Sequence, residues 1–98
     1  MFKDKVVLVT GSSRGIGAST IEEFASRGCN VVINYANNEE LALKLRNDII
    51  NKYQVKVLVI KTDISKEEEV KKMINEIVEN FGKIDILVNN ASIALDNG

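Results

Sequence analysis

The chain has 98 residues, 45% of them hydrophobic and 28% charged, with 13 basic against 14 acidic side chains and a net charge of −1. That length holds one folding unit, here residues 1–98, and the balanced, interspersed charge offers no basic surface for nucleic acid or an anionic membrane. No apolar run reaches the ~20 residues of a membrane span and no signal peptide opens the chain; one cysteine and no histidine leave neither an internal disulfide nor a His/Cys metal cluster, which fits a reducing cytoplasm.

Taken in order, Val6-Val7-Leu8-Val9 is an unbroken apolar run with three β-branched residues, the pattern of a short strand buried on both faces. Gly11, Gly15 and Gly17 make a tight turn, and a helical pattern follows through Ile21, Phe24 and Ala25 to a left-handed cap at Gly28. Cys29 reads as a buried small apolar residue, because no histidine is present to activate it. Val31-Val32-Ile33 is a second buried strand, ending at Asn34-Tyr35. Asn37-Asn38 offers an N-cap for a helix that carries Glu39-Glu40 in its first turn. Its apolar stripe is Leu41, Ala42, Leu45, Ile49 and Ile50, as far as about Tyr53. Val55 to Ile60 is the third strand. Ser65 and Glu68 have capping-box spacing, and Val70, Met73, Ile74, Ile77, Val78 and Phe81 recur helically up to Gly82. Ile84 and Ile86-Leu87-Val88 form the fourth strand, which runs into Asn89-Asn90-Ala91-Ser92.

Strands that alternate with helices require parallel pairing and right-handed crossovers, so the fold class is α/β. The expected architecture is a three-layer doubly wound sheet of Rossmann type, β-α-β-α-β-α-β, with strand order 3-2-1-4 and ligands bound beyond the carboxyl ends of the strands near strands 1 and 4. At the first of these ends, a strand, a glycine turn and a helix N-terminus make a phosphate site: the backbone is approachable, and the unpaired N–H groups and dipole favour an anion. The charge pattern also bears on the nucleotide. An NAD reader places an acid at the end of the second strand for the ribose 2′-hydroxyl, whereas Asn34-Tyr35 is neutral. Arg14, within the turn, has the donor fork for a 2′-phosphate; its alternative is a solvated loop residue. Both features favour NADP(H).

Thr10-Gly11-x-x-x-Gly15-x-Gly17, Asp63 after the third strand and Asn89-Asn90-Ala91 after the fourth together resemble the short-chain dehydrogenase/reductase family over the whole chain, closest to its bacterial 3-oxoacyl-[acyl-carrier-protein] reductases. The family's usual glycine after Asn-Asn-Ala is replaced by Ser92. The resemblance implies a cofactor site made of Gly11, Ser13, Arg14, Gly15, Ile16, Gly17, Asn34, Tyr35, Asp63, Ile64, Asn89, Asn90 and Ala91, with the pyrophosphate at the glycines. It implies that Asp63 accepts from the adenine amine beside Ile64; a carboxylate only accepts and that amine only donates. Asn89 is implied to bridge strands, and Asn90 and Ala91 to line the ribose side. The alternatives are an acid at a helix N-terminus for Asp63 and a turn residue for Asn90. A phosphoacceptor domain of the receiver type also has an acid after its third strand, but it needs further acids for magnesium where this chain has Thr10-Gly11.

The reaction implied is reduction of a carbonyl, a 3-oxoacyl thioester first, by NADPH. The family's tyrosine-x-x-x-lysine pair has no match: Tyr35 is followed at that spacing by Glu39, and Tyr53 by Val57. The expectation is therefore of the cofactor half of a longer reductase, without catalytic or metal residues of its own. The alternative is a stand-alone nucleotide-binding or assembly module. An unpaired fourth strand further leads to the expectation that the chain forms a homo-oligomer.

Overall fold

The computed structural model describes residues 2–91; Ser92 lies outside them. Its elements are β1 (Val6–Val9), α1 (Gly15–Ser26), β2 (Asn30–Tyr35), α2 (Glu39–Lys52), β3 (Val57–Lys61), α3 (Glu67–Phe81) and β4 (Ile86–Val88). The four strands are parallel in the order β3-β2-β1-β4, as the alternation of strands and helices requires.

Every residue of β1 is buried, and strand alternation divides them between two cores. Val7 and Val9 join Val31, Ile33, Ile21, Ala25 and Ile49 beneath α1 and α2. Val6 and Leu8 join Val32, Ile60, Met73 and Ile77 beneath α3. The result is a three-layer sandwich with its sheet in the middle. Cys29 is fully buried in the first core, its thiol 3.4 Å from the Phe2 carbonyl, and burial raises its pKa.

Differences from the sequence reading lie at element ends. β3 begins at Val57 rather than Val55 and extends to Lys61. Ile50, assigned to the apolar stripe of α2, is 49% exposed. The Ser65–Glu68 capping box does not form. Lys66 is the N-cap of α3 and makes no side-chain cap bond. The Asp63 carboxylate instead takes both the Ser65 amide and its hydroxyl, at 3.0 and 2.6 Å, and Glu69 reaches back to the Asp63 amide at 2.9 Å. Asp63, two residues away, thus takes the Ser65 N–H that Glu68 would accept in a capping box, and uses the Ser65 hydroxyl as a donor.

Asp85 closes the opposite end of the sheet. Its carboxylate accepts the Val6 N–H at 2.8 Å and lies 3.1 Å from the Lys83 ammonium. Those contacts lower its pKa, the Val6 bond first. Among the described residues β4 pairs only with β1, and Leu87 on it is 60% exposed.

Candidate functional site

The carboxyl ends of all four strands converge on the turn between β1 and α1. Gly11 takes φ +60°, a conformation that costs a residue with a Cβ about 1–2 kcal/mol. A Cβ there would also stand 2.7 Å from that of Ala91. Gly17 is tighter still: an added Cβ would meet the Gly11 carbonyl at 2.6 Å, and the Asn90 amide nitrogen and Ser12 Cα at 2.7 Å. The first turn of α1 thus lies against the turn that feeds it. Arg14 is the N-cap, and no acidic residue lies in that first turn, so the positive end of the helix is not neutralised.

Polar residues with their side chains turned inward hold this turn in place. The Asn34 side-chain oxygen accepts the Gly11 N–H at 2.8 Å, and its amide nitrogen lies 3.5 and 3.4 Å from the carbonyls of Ile60 and Thr62. Ser12 and Asn34 are also joined twice: the Ser12 N–H donates to the Asn34 carbonyl at 2.8 Å, and the Asn34 N–H to the Ser12 hydroxyl at 3.0 Å. Just after β1, the Thr10 hydroxyl lies 3.2 Å from the Asn89 side-chain oxygen and accepts the N–H groups of Asn90 and Ala91 at 3.0 and 3.1 Å. Asn90 completes the frame by donating its amide to the Gly11 carbonyl at 2.9 Å. The turn after β1, the end of β2 and the loop after β4 therefore form one hydrogen-bonded unit. Bonds that leave buried polar groups satisfied hold such a unit rigid.

Beside the turn an open cleft of about 730 Å³ is lined by Gly11, Asn34, Ala36, Asn37, Ala91 and the segment 61–66, with Glu69 at its edge. Asp63 presents a carboxylate whose pKa is lowered, first by the Ser65 hydroxyl and then by the Ser65 amide. Both of those bonds go to one oxygen. The second oxygen has no partner among the described residues and is available to accept from a ligand.

The structure brings Gly11, Asn34, Asp63, Ile64 and Ala91 to this cleft, with Asn89 and Asn90 fixed behind it. Asp63 organises the turn before α3 through one oxygen and lines the cleft. Asn34 uses both ends of its side chain on protein partners. Tyr35 turns into the first core, and burial, then Glu39, raises its pKa. Gly15 and Ile16 lie at a separate shallow surface with Ser19, Thr20 and Glu23, where Ile16 is 79% exposed. Ser13 is half-buried and Arg14 exposed; neither lines the cleft. Sequence reasoning passed over Ser12, Ala36, Asn37 and Lys61. Ser12 and Lys61 carry no spacing signal. Ala36-Asn37 could have been found by stepping past Tyr35 to the first residues beyond the strand.

Among the described residues no helix is long and apolar enough to cross a membrane and no acid, cysteine or histidine group is arranged to hold a metal ion. A family model for short chain dehydrogenase matches residues 5–98. The chain is 45% identical over 94 residues to the 3-oxoacyl-[acyl-carrier-protein] reductase FabG of Staphylococcus epidermidis, covering 96% of this chain and 38% of that protein. The same reductase of Staphylococcus aureus is 45% identical over 93 residues, covering 95% and 37%. A short-chain dehydrogenase from Burkholderia cenocepacia, solved in complex with NADP, superposes with a TM-score of 0.88 at 36% identity, over 94% of this chain and 37% of that one. A short-chain dehydrogenase/reductase from Serratia marcescens gives 0.89 at 36% identity, again over 94% and 37%. The chain thus spans little more than a third of the length of these relatives.

Proposed function

This chain belongs to the short-chain dehydrogenase family, and on that premise we propose that it is the cofactor-binding part of an NADPH-dependent reductase that converts a carbonyl, a 3-oxoacyl thioester first, to an alcohol. The observation that carries the reading is the convergence of the glycine turn, the Asp63 carboxylate and the Asn90–Ala91 loop on one cleft. The identity to reductases of 3-oxoacyl-[acyl-carrier-protein] supports the substrate class, and the NADP complex of a structural neighbour supports the cofactor.

The residues present suit a dinucleotide. At the start of α1, outside the cleft lining, nothing stands within 4 Å of where a Cβ on Gly15 would be, so that end of the helix is open to a pyrophosphate, with Gly11, Ser13, Ile16 and Gly17 around it. Asp63 is held ionised with one acceptor directed outward, and Ile64 offers an apolar edge for a purine. Asn90 and Ala91 border the ribose. Arg14, outside the cleft lining but exposed beside the turn, carries the donor fork for a 2′-phosphate, and no acid at Asn34-Tyr35 repels one. When bound, the dinucleotide supplies the hydride. What these residues do is bind it, orient it and fix the loops on which it rests. The 98 residues contain no Tyr-x-x-x-Lys pair, so the chain by itself is expected to bind the dinucleotide weakly and to turn over no substrate.

Fluorescence titration of the chain with NADPH and with NADH tests the cofactor. Tighter binding of NADPH, reduced towards the NADH value in Arg14→Ala, is the expected result. Equal affinities in the unaltered chain would overturn the preference. Oxidation of NADPH by a β-keto thioester in proportion to chain concentration would overturn the assignment of a binding part without turnover.

A further inference from the structure

Lys61 and Lys66 are the two cations that line this cleft, and Lys61 is the one without an ion pair among the described residues. It is the last residue of β3, in register with Tyr35 of β2, and it lines the cleft together with Asn34, Ala36, Asn37 and Asp63. Lys61 is exposed and takes part in no ion pair or side-chain hydrogen bond among the described residues, unlike its neighbour Lys66, whose ammonium lies 4.0 Å from Glu69. A strand-end residue directed to solvent contributes nothing to either core, so packing does not call for a lysine there. Two acids share this wall, and neither pairs with Lys61 among the described residues: Asp63 accepts from Ser65 through one oxygen, and Glu69 accepts from the Asp63 amide and lies 4.0 Å from the Lys66 ammonium. Towards β2 the wall is neutral, formed by Asn34, Ala36 and Asn37. An ammonium that pairs with neither acid and has a neutral wall on its β2 side is open to an anion there.

The reading above, on which this inference rests, puts a pyrophosphate at the glycine turn and a purine at Asp63 and Ile64. The adenosine ribose then lies between them, against the ends of β2 and β3. We propose that Lys61 is a specificity-determining residue that contacts the 2′-phosphate of the adenosine ribose, so that the cleft itself, and not only Arg14 beside it, selects a 2′-phosphorylated nucleotide.

Calorimetry of the chain with adenosine 2′,5′-bisphosphate and with adenosine 5′-monophosphate tests this. In Lys61→Gln, affinity for the bisphosphate is expected to fall by about fivefold, the scale of one partly screened charge contact. The monophosphate should change by less than about twofold, Lys61→Arg should restore the bisphosphate, and added salt should erase more of the difference in the unaltered chain than in the variant. A preference for the bisphosphate that Lys61→Gln leaves intact would overturn the role of Lys61 while leaving the dinucleotide reading in place. Equal losses for both nucleotides would equally overturn it, as a general disturbance of the cleft. Failure of either nucleotide to bind the unaltered chain would overturn the dinucleotide reading and this inference with it.

Discussion

Replacing Gly17 with alanine adds one methyl group at the most crowded point of the cofactor turn. The new carbon would stand 2.6 Å from the Gly11 carbonyl and 2.7 Å from both Ser12 Cα and the Asn90 amide, where ordinary contact begins at 3.4 Å. Two of these neighbours are backbone, and the Gly11 peptide is held by Asn34 on its N–H and Asn90 on its carbonyl. Relief therefore requires moving the turn away from α1 by about 0.8 Å. Overpacking of this kind costs about 1–3 kcal/mol, and losing the Asn90 bond adds about 1 kcal/mol. Alanine returns about 1 kcal/mol through its higher helix propensity. The net loss is about 2 kcal/mol, a drop in Tm of roughly 8–16 °C for a domain of this size. Gly15→Ala is the control. Its Cβ meets nothing within 4 Å, and only the backbone at φ +64° opposes it, at about 1–2 kcal/mol, less about 1 kcal/mol for alanine's higher helix propensity. Thermal unfolding followed by circular dichroism should rank Gly17→Ala below Gly15→Ala and both below the unaltered chain. A Gly17→Ala protein as stable as the unaltered chain, or more stable than Gly15→Ala, would refute the steric argument.

Two further outcomes follow from the sheet. The Asp85 pKa is lower folded than unfolded, so its stabilising effect is complete above about pH 4, the ordinary aspartate range, and is lost as pH falls through the folded value. The Tm difference between the unaltered chain and Asp85→Asn should be largest near neutrality and shrink in acid; a difference independent of pH would contradict it. The exposed Leu87 on β4 and the 46% exposed Val78 on α3 leave an edge and a face open to association. Light scattering on gel filtration should find the chain above its monomer mass at micromolar concentration, and a compact species at 10.9 kDa would contradict that.

The strands and helices could be read because burial on both faces writes itself as Val6–Val9 and Val31–Ile33, and because α3 repeats its apolar residues at helical spacing. Gly28 and Gly82 marked helix ends correctly, both at positive φ. The site was legible only where chemistry coincides with a motif. Thr10, Gly11, Gly17, Asp63 and Asn89–Ala91 could be named from spacing and resemblance. Asn34 was chosen as a neutral residue facing a ribose, yet its side chain clamps the glycine turn, because a polar group buried at a strand end takes whatever backbone partners lie nearest. Ser12 and Lys61 were invisible for a related reason. Their placement beside the site depends on which neighbour faces them across the sheet, and register between strands distant in sequence has no local signature. The failed capping box at Ser65 has a different, local cause: Asp63, two residues before it, takes the Ser65 N–H that the box would give to Glu68.

The most direct test of the central claim is an amide chemical-shift titration of the 15N-labelled chain with NADP+ and NAD+. The account predicts shifts confined to residues 11–17, 36–37, 61–65 and 90–91, with half-saturation at a lower concentration of NADP+ than of NAD+. Unmoved signals, or shifts gathered instead on the outer face of α3 and at β4, would contradict it.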